Sequence, residues 1–323
     1  MLVPVLAFGG AAVALVLGLV FPWMKVPIII GFCYGLAALG VLVLMRAGQI
    51  SFGHAMYACI SGYSVAFVAR AFPGADSLLL ALLGVLASLI VAAPIGLFVV
   101  RYREIFFGML NLALSMVLYS ILGKFYEITG GTDGIRIDRA TICGMAFDRA
   151  GYETALLVLA VLTSLGLSWL VQRFFGSSAG EALSGIKTNE TRLEYLGMSA
   201  RRILWNGYMI SAALVGLSGA LFALLQGLVT PELGYWVRSG EFVFIAILGG
   251  SAHVLGAFLG AAVFQVIQLF GAAFFAGVWK LLLGATLIAV ILVAPNGITS
   301  LLPLARRGNP APKMSLHPVP EKA

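Results

Sequence analysis

The chain has 323 residues, of which 61% are apolar and only 10% charged, with a mean hydropathy of +1.04. A soluble domain carries about 25% charged residues, so a water-facing globular fold is excluded and lipid is the solvent that accommodates this much apolar surface. The net charge of +7 is spread along the loops, which points to orientation in a membrane rather than to nucleic-acid binding, and Cys33, Cys59 and Cys143 are too few and too scattered for a disulfide framework or a zinc site.

A spanning helix needs about 20 apolar residues. Runs free of Asp, Glu, Lys and Arg occur at 2–24, 26–45, 49–69, 77–100, 105–123, 154–172, 203–230, 242–279 and 281–305. No Lys or Arg precedes the first run, which is also longer than the apolar part of a secretion signal, so it reads as a first membrane helix. With the amino terminus in the cytoplasm, Arg46, Arg101, Arg103, Arg173, Lys187, Arg192, Arg201 and Arg202 fall inside, whereas Lys25, Arg70, Lys124, Arg136, Arg139, Arg149 and Arg238 fall outside. The inner loops hold the excess of basic residues. Residues 124–153 are then an outer loop and 173–202 a cytoplasmic one. The run 242–279 is too long for one crossing and is interrupted by Gly249-Gly250-Ser251; two short crossings or a re-entrant half-helix there place Arg306 and Arg307 in the cytoplasm. The expected fold is an all-α polytopic bundle of about 8–10 transmembrane helices with discontinuous elements, a membrane domain over 1–302 and a Pro-rich, disordered cytoplasmic tail over 303–323.

Small residues recur at every fourth position at Ala58, Gly62 and Ala66, at Ala212, Gly216 and Ala220, and at Ala252, Gly256 and Gly260. This spacing lets helix backbones approach closely in lipid. The first and third sets each follow a polar, glycine-containing break, which hints at an internal repeat.

Nothing resembles a catalytic or metal-binding constellation. His54, His253 and His317 are far apart, and no phosphate-binding G-x-x-x-x-G-K-[ST] loop is present, so energy from ATP would have to enter through another subunit. Two readings stand for Gln49, Ser51 and His54. They lie at a helix start inside the membrane, whose free N–H groups would hold an anionic solute group, or on a plain cytoplasmic loop with Ser51 as the N-cap. Asn111, Ser115 and Tyr119, spaced four apart, share one helix face that looks into the bundle, either lining a pathway or bonding to a neighbouring helix. Thr132 and Asp133 sit in a glycine-rich stretch that reads as a tight turn with an exposed acid. Between Glu181 and Gly197, Leu183, Ile186, Leu193 and Leu196 make a short amphipathic helical pattern that ends at a glycine stop. Its apolar side needs a partner, either the membrane surface or another protein.

The run Gly180-Glu181-Ala182-Leu183-Ser184-Gly185-Ile186-Lys187-Thr188-Asn189-Glu190 with Leu196-Gly197-Met198 resembles the cytoplasmic loop of branched-chain amino acid ABC importer permeases of the LivM type. The stretches 211–221, 48–55, 129–135, Leu248-Gly249-Gly250 with Gly256 and Gly260, and Ala294-Pro295-Asn296-Gly297-Ile298 agree in the same order. The resemblance implies a non-catalytic inner-membrane subunit without a cofactor. It would work with a second related permease, two ATPase subunits and a periplasmic substrate-binding protein. The loop would then be a coupling helix in which Leu183 and Ile186 enter an ATPase groove and Lys187 and Glu190 meet polar or charged groups on its surface. The chain departs from the family pattern at Lys187-Thr188-Asn189-Glu190, where Arg followed by acids is common, and at Asn111, where a hydroxyl residue is common. Relatives of this kind also carry urea, short amides or aromatic acids. A stand-alone channel or secondary transporter is a different class, and a proton- or sodium-coupled carrier needs an intramembrane carboxylate, for which Glu241 is the nearest candidate.

Overall fold

The computed structural model describes residues 2–251, 253–274, 278–294 and 297–301. Among them are α1 (Leu2–Val20), α2 (Lys25–Arg46), α3 (Ala55–Ala71), α4 (Ser77–Val99), α5 (Glu104–Lys124), the single turn α6 (Tyr126–Thr129), α7 (Arg149–Phe175), α8 (Ser178–Tyr195), α9 (Ala200–Gln226), α10 (Trp236–Gly249), α11 (Val254–Phe274) and α12 (Trp279–Val293). Two-residue strands β1 (Ile135–Arg136) and β2 (Leu228–Val229) pair antiparallel, with Ile135 opposite Val229. Among the described residues, seven helices are long and apolar enough to cross a membrane.

Side-chain caps set the starts of four of the described helices. The Asp76 carboxylate accepts from Leu78 N at 2.8 Å to cap α4, and Asp148 accepts from Gly151 N at 3.0 Å to cap α7. Ser177 and Ser199 cap α8 and α9 in the same way. Gly227, at φ +63°, ends α9 in the left-handed conformation that favours glycine.

The core is α2 and α9, packed on each other and ringed by α3, α4, α10 and α11. With lipid outside, close backbone approach replaces hydrophobic drive. Accordingly a Cβ on Gly40 of α2 would lie 2.8 Å from the Ser211 carbonyl of α9, and one on Gly219 would collide with the backbone of Ala58 in α3. Gly216 meets Ser88 of α4, and Ala220 is fully buried. Gly256 and Gly260 of α11 lie against the backbone of α10 at Gly249–Gly250 and Ile245, so these two helices form a tight antiparallel pair. Ala252 of that stripe lies outside the described residues.

Contacts between connecting segments sort them onto two sides. On one side the Arg46 guanidinium sits 4.2 Å from the centre of the Phe175 ring, Arg103 pairs with Glu190, Arg201 Nη2 donates to Leu97 O at 3.1 Å, and Thr299 Oγ1 donates to Gly249 O at 2.9 Å. On the other, Lys25 Nζ donates to Thr154 Oγ1 at 2.7 Å, Ser77 N donates to Thr141 O at 2.7 Å, and β1 pairs with β2. The chain alternates between these sides, with α6 and α8 lying at the faces.

The run expected over 242–279 is indeed discontinuous, broken at Gly249–Gly250 into α10 and α11. Its start is different, however: α10 begins at Trp236 and takes Arg238 and Glu241 inside a helix. The two charges coexist there because Arg238 Nη1 meets Glu241 Oε2 at 3.0 Å and also donates to the Tyr34 hydroxyl, so neither is an isolated ion. At 14 residues, α10 is about 21 Å long, short of the ~30 Å hydrocarbon core. The tail from 303 onward and the Pro295-Asn296 step lie outside the described residues.

Candidate functional site

The loop between α7 and α9 folds as α8, an amphipathic helix interrupted at Asn189, whose φ of −162° and ψ of 97° leave the helical region. The Asn189 side chain accepts from Arg192 N at 3.0 Å and so caps the second segment. Gly197 stops the element at φ +80°. The buried residues of α8 are Gly180, Ala182, Leu183, Ile186 and Leu193, and the helix packs on α9, α7 and the adjoining end of α2.

This placement bears on the coupling roles expected for Leu183, Ile186, Leu196 and Glu190. Leu183 is fully buried against Gly207 of α9, and Ile186 is only 7% exposed, so both pack α8 against its own bundle. Leu196 does not join Leu193 on the buried side; it is 67% exposed, and Tyr195 beside it is 88% exposed. Glu190 is already paired within the chain: Arg103 Nη2 meets its Oε1 at 2.6 Å and Arg103 Nε its Oε2 at 2.8 Å, a two-pronged contact. Glu181 and Lys187 remain at the surface, with the Lys187 stem resting over Gly48. Leu196 belongs to the apolar pattern expected to meet a partner, whereas its exposed neighbour Tyr195 was missed because that pattern was traced through leucine and isoleucine alone.

Below α8, residues 49–54 form a non-helical segment in which Gln49, Ser51 and His54 are buried. Ser51 is not the cap of α3: the helix starts after His54, and the Ala55 N–H donates to Ser239 Oγ of α10 at 2.8 Å. The Ser51 hydroxyl instead meets His54 Nδ1. Gln49 Oε1 accepts from Glu104 N at 2.8 Å, at the start of α5. Gly53 lies so close to the Asn111 carbonyl that any Cβ would collide with it, and Gly108 leaves room for the Ile50 carbonyl.

A buried chain of hydrogen bonds joins α3, α5 and α9. Tyr208 OH donates to Asn111 Oδ1 at 2.7 Å, so the 2.7 Å contact between Tyr57 OH and Tyr208 OH has Tyr57 as donor. Asn111 Nδ2 donates to Phe107 O at 2.8 Å. The His54 ring stands edge-on to Tyr208 and Tyr57, 5.0 and 5.4 Å between centroids. Ser115 Oγ donates to Gly234 O at 2.7 Å. All of these bonds but the one from Asn111 to Phe107, which stays within α5, tie one helix or loop to another. The expected pathway residues are thus brought together as a packed polar seam. A crevice between Tyr34, Phe222, Arg238 and Phe242 has room for about a single water.

On the opposite side, Thr132 and Asp133 are exposed in a turn pinned by the Ile135–Val229 pairing. The Tyr126 hydroxyl donates to the Asp133 carboxylate, which raises the phenol above its ordinary range.

The model of the family described as "Branched-chain amino acid transport system / permease component" matches residues 27–291. Among curated proteins, the chain is 27% identical over 296 residues to the high-affinity branched-chain amino acid transport system permease protein LivM of Escherichia coli K12, covering 84% of this chain and 68% of that one. It is 30% identical over 246 residues to LivM of Salmonella typhimurium, covering 68% and 57% of the two lengths. It is 27% identical over 284 residues to LivH of Salmonella typhimurium, covering 83% and 92%. No solved structure matches the chain. A helical, multi-pass fold and a family match over most of its length together place the chain in the branched-chain amino acid transport system permease family, as a multi-pass protein of the inner membrane.

Proposed function

We propose that the chain is the membrane-spanning permease of an importer powered by ATP-hydrolysing subunits, carrying branched-chain amino acids or closely related small solutes handed over by a periplasmic binding protein. A second, related permease completes the membrane part. The α8 side is cytoplasmic, and the tail beyond 302 emerges there. The observation that carries this reading is α8 itself: an amphipathic helix anchored inward by Leu183 and Ile186 that leaves Tyr195 and Leu196 bare, with Arg192 and Glu194 exposed next to them in the chain. An aromatic–aliphatic anchor in a charged rim is the composition of a protein-binding hot spot. The alternative of a self-powered carrier lacks such support, because the one carboxylate inside α10, Glu241, is held by Arg238.

Truncating a hot-spot anchor costs about 2 kcal/mol or more, which weakens association about thirtyfold. Tyr195→Ala with Leu196→Ala should therefore leave the permease folded while the ATPase subunits no longer co-purify with it. Retention of the ATPase at the wild-type level by the double variant would place the docking contact elsewhere. Ile186→Asp serves as the contrast: it buries a carboxylate between α8 and the bundle and should lower the amount of folded permease itself.

A further inference from the structure

Three features meet at the junction of α4, α5 and α8. The first is the two-pronged Arg103–Glu190 ion pair, which bridges the α4–α5 connection and the second segment of α8. Arg103 is fixed at its other end as well, since its Nη1 also donates to the carbonyls of Val100 and, at 3.0 Å, Tyr102. The second is Glu104, the first residue of α5, whose φ of +52° lies in the left-handed region that a non-glycine residue rarely adopts. Its N–H is held by Gln49 Oε1 at 2.8 Å. The third is the packing of segment 49–54 on α5, with Gly53 under the Asn111 carbonyl and Ile50 O against Gly108. Glu190 is thus linked through Arg103, Glu104 and Gln49 to the buried seam of His54, Tyr57, Asn111 and Tyr208.

Beyond this link, α5 is held to the bundle through one narrow face, on which only Phe107, Gly108, Asn111 and Ser115 are buried. The kink at Asn189 lies immediately before Glu190, so the segment that carries the ion pair also carries Tyr195 and Leu196. Leu183 and Ile186 on the first segment are packed against the bundle. A displacement applied at Tyr195–Leu196 is therefore not absorbed by the anchored first segment alone; it reaches Glu190 in the same short helix. An arginine–carboxylate fork transmits such a displacement with direction, because both prongs resist rotation as well as separation.

We infer that Arg103 and Glu190 are positioning residues for transport: they couple the exposed end of α8 to the amino terminus of α5 and, through Gln49, to segment 49–54. This rests on α8 being the docking element. The pair transmits motion and takes no part in docking.

The test uses the complete reconstituted complex of both permeases, the ATPase subunits and the binding protein, in vesicles. Three quantities are read: ATPase retained on the permease, ATP hydrolysed, and amino acid taken up. Arg103→Glu and Glu190→Arg should each retain the ATPase and keep hydrolysing ATP, but with uptake per ATP reduced about tenfold, within the usual range of coupling free energies. The double exchange Arg103→Glu/Glu190→Arg should recover most of the loss. Glu190→Gln, nearly isosteric, keeps the packing and serves if a charge reversal fails to assemble; it should give the same defect in milder form. Unchanged uptake per ATP in Glu190→Gln and the single reversals would overturn the inference. So would a defect in the single variants that the double exchange leaves unrepaired. Loss of the ATPase from these variants would also overturn it, by assigning the pair to docking. Failure of the docking reading shows itself separately, as undiminished ATPase retention in the Tyr195→Ala/Leu196→Ala variant.

Discussion

At the scale of single residues, the buried seam has a defined donor order, and that order makes a prediction. Tyr208 spends its proton on Asn111 Oδ1 and accepts from Tyr57. Tyr208→Phe therefore strands the Asn111 carbonyl and the Tyr57 hydroxyl, both buried, at a cost of about 1–3 kcal/mol for each unsatisfied group. Tyr57→Phe removes only a terminal donor and should cost less. Thermal unfolding of the purified subunit in lipid nanodiscs ranks the two variants. A larger loss for Tyr57→Phe would mean that the proton chain runs the other way. The sequence singled out Asn111, Ser115 and His54 because a polar side chain inside a membrane must find a partner. It did not reveal Tyr57 and Tyr208, since a tyrosine in an apolar run reads equally as packing, and their meeting depends on α3 and α9 being neighbours.

At the scale of elements, the outer turn and α8 behave differently from what spacing alone implies. Asp133, exposed in its turn, also accepts from the Tyr126 hydroxyl. This gives a clean pair of variants. If Asp133 touches the binding protein, Asp133→Ala slows uptake at normal complex abundance, whereas Tyr126→Phe, which only releases the carboxylate, leaves uptake close to wild type. Equal slowing by both would mean that the acid serves the turn. For α8, the stop at Gly197 was legible, because a left-handed glycine is a local signal; the helix itself starts earlier than the pattern from Gly180 implied, at Ser178 with Ser177 as its cap. Which leucine faces which way was not legible, because the elements it packs against are distant in sequence. A separate limitation hid the start of α10, where a charge-free window excludes Arg238 and Glu241 although their mutual pairing admits them.

At the scale of the whole molecule, the side-to-side alternation predicts accessibility. Cys143 is exposed, and the bridge from Asp76 to Thr141 places its loop on the β1–β2 side; Cys33 and Cys59 are buried. With α8 cytoplasmic, a membrane-impermeant maleimide added to intact spheroplasts should label Cys143 and spare the other two. Labelling of Cys143 only after the membrane is opened would invert the orientation. A reporter fused after Leu302 should likewise be active only when folded in the cytoplasm. Both readouts address the excess of basic residues on inner loops, a bulk property that needs no tertiary information.

Composition by itself determined that lipid is the solvent, and the spacing of charge-free runs determined nearly all the helices, because backbone groups in hydrocarbon must be paired internally and a run of about 20 apolar residues does so as a helix. The breaks at 48–54 and 249–251 were also legible, since glycine beside polar residues interrupts an apolar run. Tertiary structure alone decided the partners. It set Glu190 on Arg103, 87 positions away, closed the Tyr57–Tyr208–Asn111 chain across three helices, and turned Leu183 inward and Leu196 outward. These are contacts between residues distant in sequence, and no local propensity encodes them; they exist only once packing has fixed which small-residue faces meet.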